Sequence, residues 1–211
     1  MCPSHLPIWS YVLGCSIIDS SRQQLTIKVE HNNQIFHLTT VYARTEAVKR
    51  SKLWRKLTTI NNPISGPWCI LDDFNSIMAP GEKRGGVPHV LSESMDFISC
   101  MNKYGMKNLG FTENSFTWCN RRRKRKRISK RLDRVLINDA WADVFHLSKV
   151  DHHAKTGSDH SLLTFEFGNT MQEATKYFRF LNFWKEHSGY FDLMQDIWSM
   201  KVHGNAQWIL Q

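Results

Sequence analysis

The sequence predicts an α/β fold, because stretches typical of β-strands alternate along the chain with stretches typical of helices. Near the N-terminus, apolar Leu25, Ile27 and Val29 alternate with polar residues, and strand-forming residues resume over positions 35–42. This alternation on both sides of a short Asn-containing break predicts a β-hairpin. Over residues 46–60 the apolar positions recur instead with the helical period. A strand-to-helix unit therefore opens the fold.

The apolar face of this first helix is expected to carry Val48, Leu53, Trp54, Leu57 and Ile60. A short apolar strand over residues 68–71 follows it. A second helix is expected to begin after a capping Ser92 and to end at Gly105. Its apolar positions are Met95, Ile98 and Met101.

The second half of the chain continues the alternation. Strands are expected over residues 116–119, 132–137 and 161–167, with a short helix over 139–145. Beyond residue 167 a polar stretch gives way to an aromatic-rich one over 178–198. We therefore expect one domain over residues 1–168 and a connector with an aromatic helix over 169–211.

Composition limits the classes of function. The chain has 211 residues, 41% of them hydrophobic, which suffices for one domain and a tail. Lys and Arg number 28 against 19 Asp and Glu, so the net charge of +9 favours a polyanionic partner. No apolar stretch approaches the roughly 20 residues of a membrane span, and the N-terminus lacks the pattern of a signal peptide. We expect neither membrane insertion nor secretion.

The cysteines predict no disulfide framework and no zinc site, because they are scattered and never form a CxxC pair. They are Cys2, Cys15, Cys69, Cys100 and Cys119.

The sequence Leu71-Asp72-Asp73-Phe74-Asn75 places carboxylates and an amide where a short apolar strand becomes a loop. Ligand sites of open α/β sheets collect at the carboxyl ends of strands. The Asp73 carboxylate can accept a proton, while the Asn75 amide orients the same water or metal-bound oxygen. An ordinary polar turn is the alternative.

Two further segments carry chemistry. In Gly157-Ser158-Asp159-His160-Ser161 a carboxylate adjoins an imidazole, a pairing suited to metal ligation or to neutralising a phosphoryl oxygen. In Arg131-Leu132-Asp133-Arg134, Asp133 could orient an imidazole from a neighbouring strand. An exposed strand carboxylate is the alternative for Asp133. A metal cluster of His152, His153 and His160 is disfavoured, because adjacent residues of an extended chain point opposite ways.

A basic run lies between two predicted strands, where like charges repel one another and stay solvated. It consists of Arg121, Arg122, Arg123, Lys124, Arg125, Lys126 and Arg127, extended by Lys130 and Arg131. A mobile hairpin tip, a nuclear-import signal and a contact to nucleic-acid phosphates are the three interpretations. We favour the phosphate contact.

Taken together, residues 68–75, 131–136 and 158–163 resemble the endonuclease/exonuclease/phosphatase (DNase I-like) superfamily in order and context. The LINE retrotransposon branch, as in plant LINE-type open reading frames, is the one that the chain resembles. Further segments similar to that branch are Glu82-Lys83-Arg84-Gly85-Gly86, Leu109-Gly110-Phe111, Phe116-Thr117-Trp118-Cys119-Asn120 and Phe178-Arg179-Phe180 with Trp184.

The resemblance implies a fold of two β-sheets packed face to face and flanked by helices. It implies Mg²⁺ or Mn²⁺ as the cofactor, DNA as the partner and the nucleus as the location. It also implies that the hairpin before Asp133 touches target DNA, and that residues 169–211 would lead to a reverse transcriptase.

The same resemblance assigns a role to each site residue. Asp73 resembles the general base for the attacking water, with Asn75 orienting it. His160 resembles the group that stabilises the transition state, and Asp133 its orienting partner. Asp159 resembles a carboxylate near the metal. Tyr42 resembles an active-site tyrosine.

The sequence departs from this family at two places. The family has an upstream metal-binding Glu that nothing in residues 1–24 matches, which predicts an N-terminally truncated domain. The glycine usual before Asp-Phe-Asn is Asp72 here. Three hypotheses follow: a Mg²⁺-dependent nuclease that nicks DNA, a degenerate relative that binds nucleic acid without cutting it, and a small-molecule phosphatase.

Overall fold

A computed structural model describes residues 14–60, 64–155, 157–168 and 189–199. The chain forms two compact units, Met1–Thr170 and Met171–Gln211. The first unit contains twelve strands among its described residues: β1 (Gly14–Ser20), β2 (Gln24–His31), β3 (Gln34–Tyr42), β4 (Trp68–Asp73), β5 (Lys83–Arg84), β6 (Lys107–Asn108), β7 (Thr112–Glu113), β8 (Trp118–Cys119), β9 (Ser129–Lys130), β10 (Asp133–Ile137), β11 (Lys149–His152) and β12 (Leu163–Glu166). Its helices are α1 (Ala47–Ile60), α2 (Met95–Lys103) and α3 (Asp139–Val144). In the second unit, α4 spans Tyr190–Ser199.

A six-stranded sheet with the order β1-β2-β3-β4-β10-β6 forms the centre of the first unit. The predicted hairpin is confirmed as β2 and β3, joined by Asn32 and Asn33, whose φ angles are 50° and 61°. Two consecutive positive φ angles match the tight turn that suits twisted strands. β3 and β4 run parallel, which requires a crossover, and α1 supplies it.

Helices α1 and α2 cover one face of this sheet. The structure confirms Leu53, Trp54, Leu57 and Ile60 as the buried face of α1. The prediction for Val48 was wrong, since its side chain is 81% exposed in the first turn of the helix.

The face predicted for α2 was also wrong in part. A 3-10 turn at Leu91–Ser94 precedes the helix and delays its start. The helix therefore buries Phe97, Cys100 and Met101, while Met95 is 46% exposed. Gly105, at φ 60°, follows the end of the helix as expected.

The other face of the central sheet packs on a second sheet with the order β12-β11-β7 and on α3. Buried apolar side chains from both sheets and from α3 share this core: Val29, Phe36, Cys69, Val135, Ile137, Trp141, Phe145 and Val150. The predicted α/β architecture of two sheets packed face to face, with helices outside, is confirmed. A third, small sheet with the order β5-β9-β8 lies against the candidate site described below.

None of the helices in the described ranges is long and apolar enough to cross a bilayer.

Candidate active site

Three strand ends of the central sheet meet at one place. β4 ends at Asp73, and β10 begins at Asp133, which is its direct partner in the antiparallel ladder. Tyr42, the last residue of β3, is the partner of Asp73 on the other side. Both carboxylates are buried, with 4% and 5% of the residues exposed, whereas Tyr42 is 68% exposed. The register of the sheet thus brings together two acids that lie 60 positions apart in the sequence.

His160 completes a group with these two acids. Its Nδ1 atom lies 3.1 Å and 3.0 Å from the two carboxylate oxygens of Asp133. This hydrogen bond raises the pKa of His160, and the negative charges of Asp133 and Asp73 act in the same direction. One ligand atom from each of the three residues lies within 4.8 Å of the others.

Asn75 fixes the carboxylate of Asp73 through two hydrogen bonds. Its backbone N–H donates to Oδ1 of Asp73 at 2.8 Å, and its amide donates to Oδ2 at 2.7 Å and to the carbonyl of Ala43 at 2.8 Å. Burial, and then the charge of Asp133, raise the pKa of Asp73 to about 7, although the Asn75 backbone bond acts the other way. A carboxylate with this pKa is suited to accepting a proton near neutral pH.

The donor set fits a divalent cation such as Mg²⁺ or Mn²⁺. The two carboxylates repel each other, and this repulsion contributes to the raised pKa of Asp73. A divalent cation would offset this repulsion, and carboxylate oxygens are ligands that hard cations prefer. Nδ1 of His160 is engaged by Asp133, so only its Nε2 atom could reach a ligand.

The structure does not bring Asp159 into this group. Its carboxylate accepts a hydrogen bond from the indole nitrogen of Trp118 at 2.8 Å, and this bond lowers its pKa. Asp159 is adjacent to His160 in the sequence, but its side chain is exposed and lies on the neighbouring loop surface.

Thr117 bonds to the backbone of Asp133 and to that of Ser161, the residue after His160, and its role was missed by sequence reasoning. Its hydroxyl oxygen accepts the backbone N–H groups of Leu132 and Asp133, each at 3.0 Å. Its carbonyl accepts the backbone N–H of Ser161 at 2.6 Å. Thr117 is fully buried. The segment around Thr117 was singled out by resemblance, but only the register shows what its hydroxyl does.

Asp72 has φ 96°, in the region that favours glycine. Backbone conformations of this type cost a side chain of order 1–3 kcal/mol. The backbone conformation at this position therefore favours glycine, which is the residue that the resembling family has there. Asp72 adds backbone strain, and its negative charge raises the pKa of Asp73.

The basic run forms a loop closed at its base by Asn120. The Asn120 side chain donates to the carbonyl of Lys126 at 2.9 Å and accepts from the backbone of Arg122 at 3.3 Å and Ile128 at 3.0 Å. Exposed cations therefore project from it: Arg121, Arg122, Arg123, Arg125, Lys126 and Arg127. We call residues 121–127 the basic loop.

The basic loop is attached to the site on two sides. The Arg121 guanidinium donates to the carbonyl of Gly157 in the loop that carries His160. On the other side, Gly85, with φ 84°, approaches the chain so closely that a Cβ atom there would lie 2.2 Å from the carbonyl oxygen of Arg127. These contacts fix one end of the basic loop to the segment that carries His160 and the other end to the residue after β5.

The prediction that Arg131 belongs to this surface needs correction. Arg131 is only 6% exposed, and its guanidinium donates to Glu82 at 3.4 Å and to Asn108 at 2.9 Å. It also stacks on Phe111, 4.3 Å from the ring centroid. The charge of Arg131 is therefore directed into the protein. Lys130, one residue earlier, is half-buried beside the site.

Comparison with known proteins adds information on the fold. No family model and no curated protein matches the sequence. Among solved structures, the endonuclease domain of TRAS1, a telomere-specific non-LTR retrotransposon, is similar with a TM-score of 0.56 at 13% identity, over 73% of this chain and 69% of that one. Beta toxin 275-280 from Staphylococcus aureus is similar with a TM-score of 0.50 at 12% identity, over 70% of this chain and 58% of the toxin. An endonuclease/exonuclease/phosphatase family protein from Leptotrichia buccalis has a TM-score of 0.48 at 13% identity, over 72% of this chain and 58% of that one.

The chain therefore has the same two-sheet α/β fold as the endonuclease domain of TRAS1.

Proposed function

We propose that this protein is a divalent-metal-dependent phosphodiesterase that nicks DNA, as the endonuclease of a LINE-type retroelement would. The observation that carries the proposal is the grouping of Asp73, Asp133 and His160 within 4.8 Å, next to the exposed basic loop. Acids and an imidazole at one point supply acid–base and charge-stabilising groups, and the loop supplies cations for a polyanionic substrate.

In this mechanism Asp73 accepts the proton of the attacking water. The Asn75 amide fixes the carboxylate, whose pKa of about 7 applies while no cation is bound. His160, whose pKa is raised by its hydrogen bond to Asp133, stabilises the negative charge that develops on the phosphoryl oxygens. Asp133 holds the ring in place.

Mg²⁺ or Mn²⁺, held by Asp73 and Asp133, would offset the charge of the leaving oxygen. The basic loop would contact phosphates of the DNA beyond the cleaved bond. Such contacts position the DNA but do not by themselves select a base sequence.

Nicking of supercoiled DNA by the purified protein with Mg²⁺ tests the proposal. We expect Asp73→Asn and His160→Ala each to lower the rate by a factor on the order of 100 to 10,000. The matched controls are Asp139→Asn and His146→Ala, which alter an exposed acid and an exposed imidazole away from the site. Equal cleavage by the wild type and all four variants would show that these residues do not catalyse the reaction.

A second candidate function is binding of nucleic acid without cleavage. Asp72 favours it, because a strained backbone and an extra negative charge stand immediately before Asp73. In that case the wild type would bind duplex DNA in a way that weakens when the basic loop is neutralised, yet would not nick it with either Mg²⁺ or Mn²⁺. Nicking that depends on His160 rules this candidate out.

A further inference from the structure

Four residues from neighbouring strands occupy one row that ends at His160. Trp118 pairs with His160 through an isolated bridge and with Lys130 in the ladder of β8 and β9. Lys130 in turn pairs with Lys83 in the ladder of β5 and β9. Side chains of directly opposed residues lie on the same face of a sheet. The row therefore runs from Lys83 through Lys130 and Trp118 to the candidate catalytic histidine.

The spacing of strands gives this row a scale. Neighbouring strands lie about 4.8 Å apart, so the backbone of Lys130 is roughly 10 Å from that of His160, and the backbone of Lys83 roughly 14 Å. Two cations are thus held at defined distances from the candidate site. Both belong to the small sheet, whereas the basic loop only joins two strands of that sheet, β8 and β9.

The two lysines are an unfavourable pair by themselves. Like charges directly opposite each other in an antiparallel ladder are destabilising. Both side chains are half-buried, and neither ammonium group lies within 4 Å of a carboxylate in the described part of the chain. Lys83 donates to the carbonyl of Val87. Burial, and then the charges of Lys83 and Arg50, lower the pKa of Lys130.

Arg50 adds a third cation near the two lysines. Its guanidinium donates to the carbonyls of Arg44 at 3.1 Å and Thr45 at 2.5 Å, in the turn between β3 and α1. That turn lies beside the catalytic acid, because the backbone of Ala43 donates to the carbonyl of Asp73 at 2.8 Å. Arg50 is therefore within electrostatic range of both Asp73 and Lys130.

We infer that Lys83 and Lys130, the two cations of this row, bind phosphates of the cleaved strand on one side of the scissile phosphate, with Arg50 as a third cation nearby. The inference rests on the proposed function and deepens it. A phosphodiester anion would offset the repulsion between the two lysines. The exposed basic loop contributes attraction over a longer distance, whereas the row sets which phosphate reaches His160.

The test compares Lys83→Met, Lys130→Met and the double variant in a His160→Ala background, in which the proposed cleavage is slowed. Methionine keeps the apolar stem of the side chain and removes its charge. Lys28→Met is the matched control, since Lys28 is also partly exposed but is paired with Glu30 at 2.5 Å on β2. Binding of a short DNA duplex is measured in EDTA as a function of salt concentration.

Each row variant should flatten the plot of log affinity against log salt by a little under one unit, and the double variant by a little under two. Lys28→Met should leave the slope unchanged. Lys130→Met should also leave the melting temperature unchanged or higher, because the repulsion between the two lysines is relieved. An unchanged slope in both single variants, or a lower melting temperature in Lys130→Met, would overturn the inference.

The binding test can fail or succeed independently of the proposed nuclease function. Binding in EDTA requires no cleavage, so the slopes can change in a protein that never nicks DNA, and the row then stands while the nuclease proposal fails. If the wild type nicks DNA but neither lysine alters the slope, the nuclease proposal stands and the row is rejected.

Discussion

The hydroxyl oxygen of Thr117 lies 3.0 Å from the backbone nitrogen of Asp133, and the carbonyl of the same threonine accepts the N–H of the residue that follows His160. A single buried residue thus ties two segments together: its side chain bonds to the strand that carries Asp133, and its backbone carbonyl bonds to the loop that carries His160. An oxygen with two lone pairs is required, because it accepts two backbone N–H groups.

We expect Thr117→Val to lose at least 100-fold in nicking rate, while the binding of DNA in EDTA changes little. Valine has the same shape but leaves two buried N–H groups without an acceptor, which also costs about 1–3 kcal/mol of stability. Thr26→Val is the control, because Thr26 is equally buried and bonds to Thr39 at 2.9 Å in the central sheet. Thr117→Ser should retain most of the rate. If Thr26→Val lowers the rate as much as Thr117→Val, the loss reflects stability alone.

Asp72→Gly should stabilise the protein by about 1 kcal/mol, because glycine adopts φ 96° without the cost borne by a side chain. Asp72→Asn removes the same charge but keeps the side chain, so it should gain much less. Both variants should lower the pKa of Asp73, which the charge of Asp72 raises. Denaturant unfolding measures the first effect, and the pH dependence of nicking measures the second. Equal stabilisation by the two variants would assign the effect to charge rather than to backbone strain.

Gly85→Ala should destabilise the protein by about 2 kcal/mol or more and weaken DNA binding. The new Cβ would meet the Arg127 carbonyl at 2.2 Å, and φ 84° adds the cost of a left-handed conformation. The end of the basic loop would have to move away from β5. Gly81→Ala serves as the control, since nothing lies within 4 Å of a Cβ atom there. Thermal unfolding and DNA affinity are the measurements, and a Gly85→Ala protein that matches Gly81→Ala in both would contradict the close approach.

Stability in the absence of metal should fall as the pH rises from 5 to 8. The folded protein holds a proton on Asp73 up to a pKa of about 7, whereas an unfolded Asp loses it near 4. The raised pKa of His160 acts in the same direction, since its stabilising charge is lost as the pH rises through that value. Asp73→Asn should flatten the decline, by up to about 3 kcal/mol over this pH range. Melting temperatures in EDTA check this. A decline of equal steepness in Asp73→Asn and wild type would refute the role of Asp73.

The sequence alone was sufficient for the elements whose patterns are long and regular. The hairpin of β2 and β3 and helix α1 have many residues in phase, and both were predicted. β1 and β11 were missed. β1 is largely exposed at the edge of the sheet, and β11 has only the four residues Lys149–His152, so neither shows a clear alternation.

The candidate site illustrates a different limit, because its geometry depends on register rather than on neighbours in the sequence. The pairing of Asp73 with Asp133 follows from the ladder of β4 and β10. In the sequence Arg131 belongs to the basic run, but in the structure it is buried and bonds to Glu82, which lies 49 positions away. Asp159 adjoins His160 in the sequence, yet its carboxylate bonds to Trp118, 41 positions away. Contacts of such separation leave no periodic trace in a single sequence.

The closure of the basic loop by Asn120 has a thermodynamic consequence for whatever polyanion the loop meets. A free chain of like charges must lose conformational entropy when it is fixed against a ligand, and each ordered long side chain costs roughly 0.5–1.5 kcal/mol. Because the Asn120 side chain already fixes the backbone at Arg122, Lys126 and Ile128, much of the ordering of the main chain has occurred before association. The loop is therefore preorganised for binding a polyanion. It should lose less conformational entropy on binding than a free basic tail would.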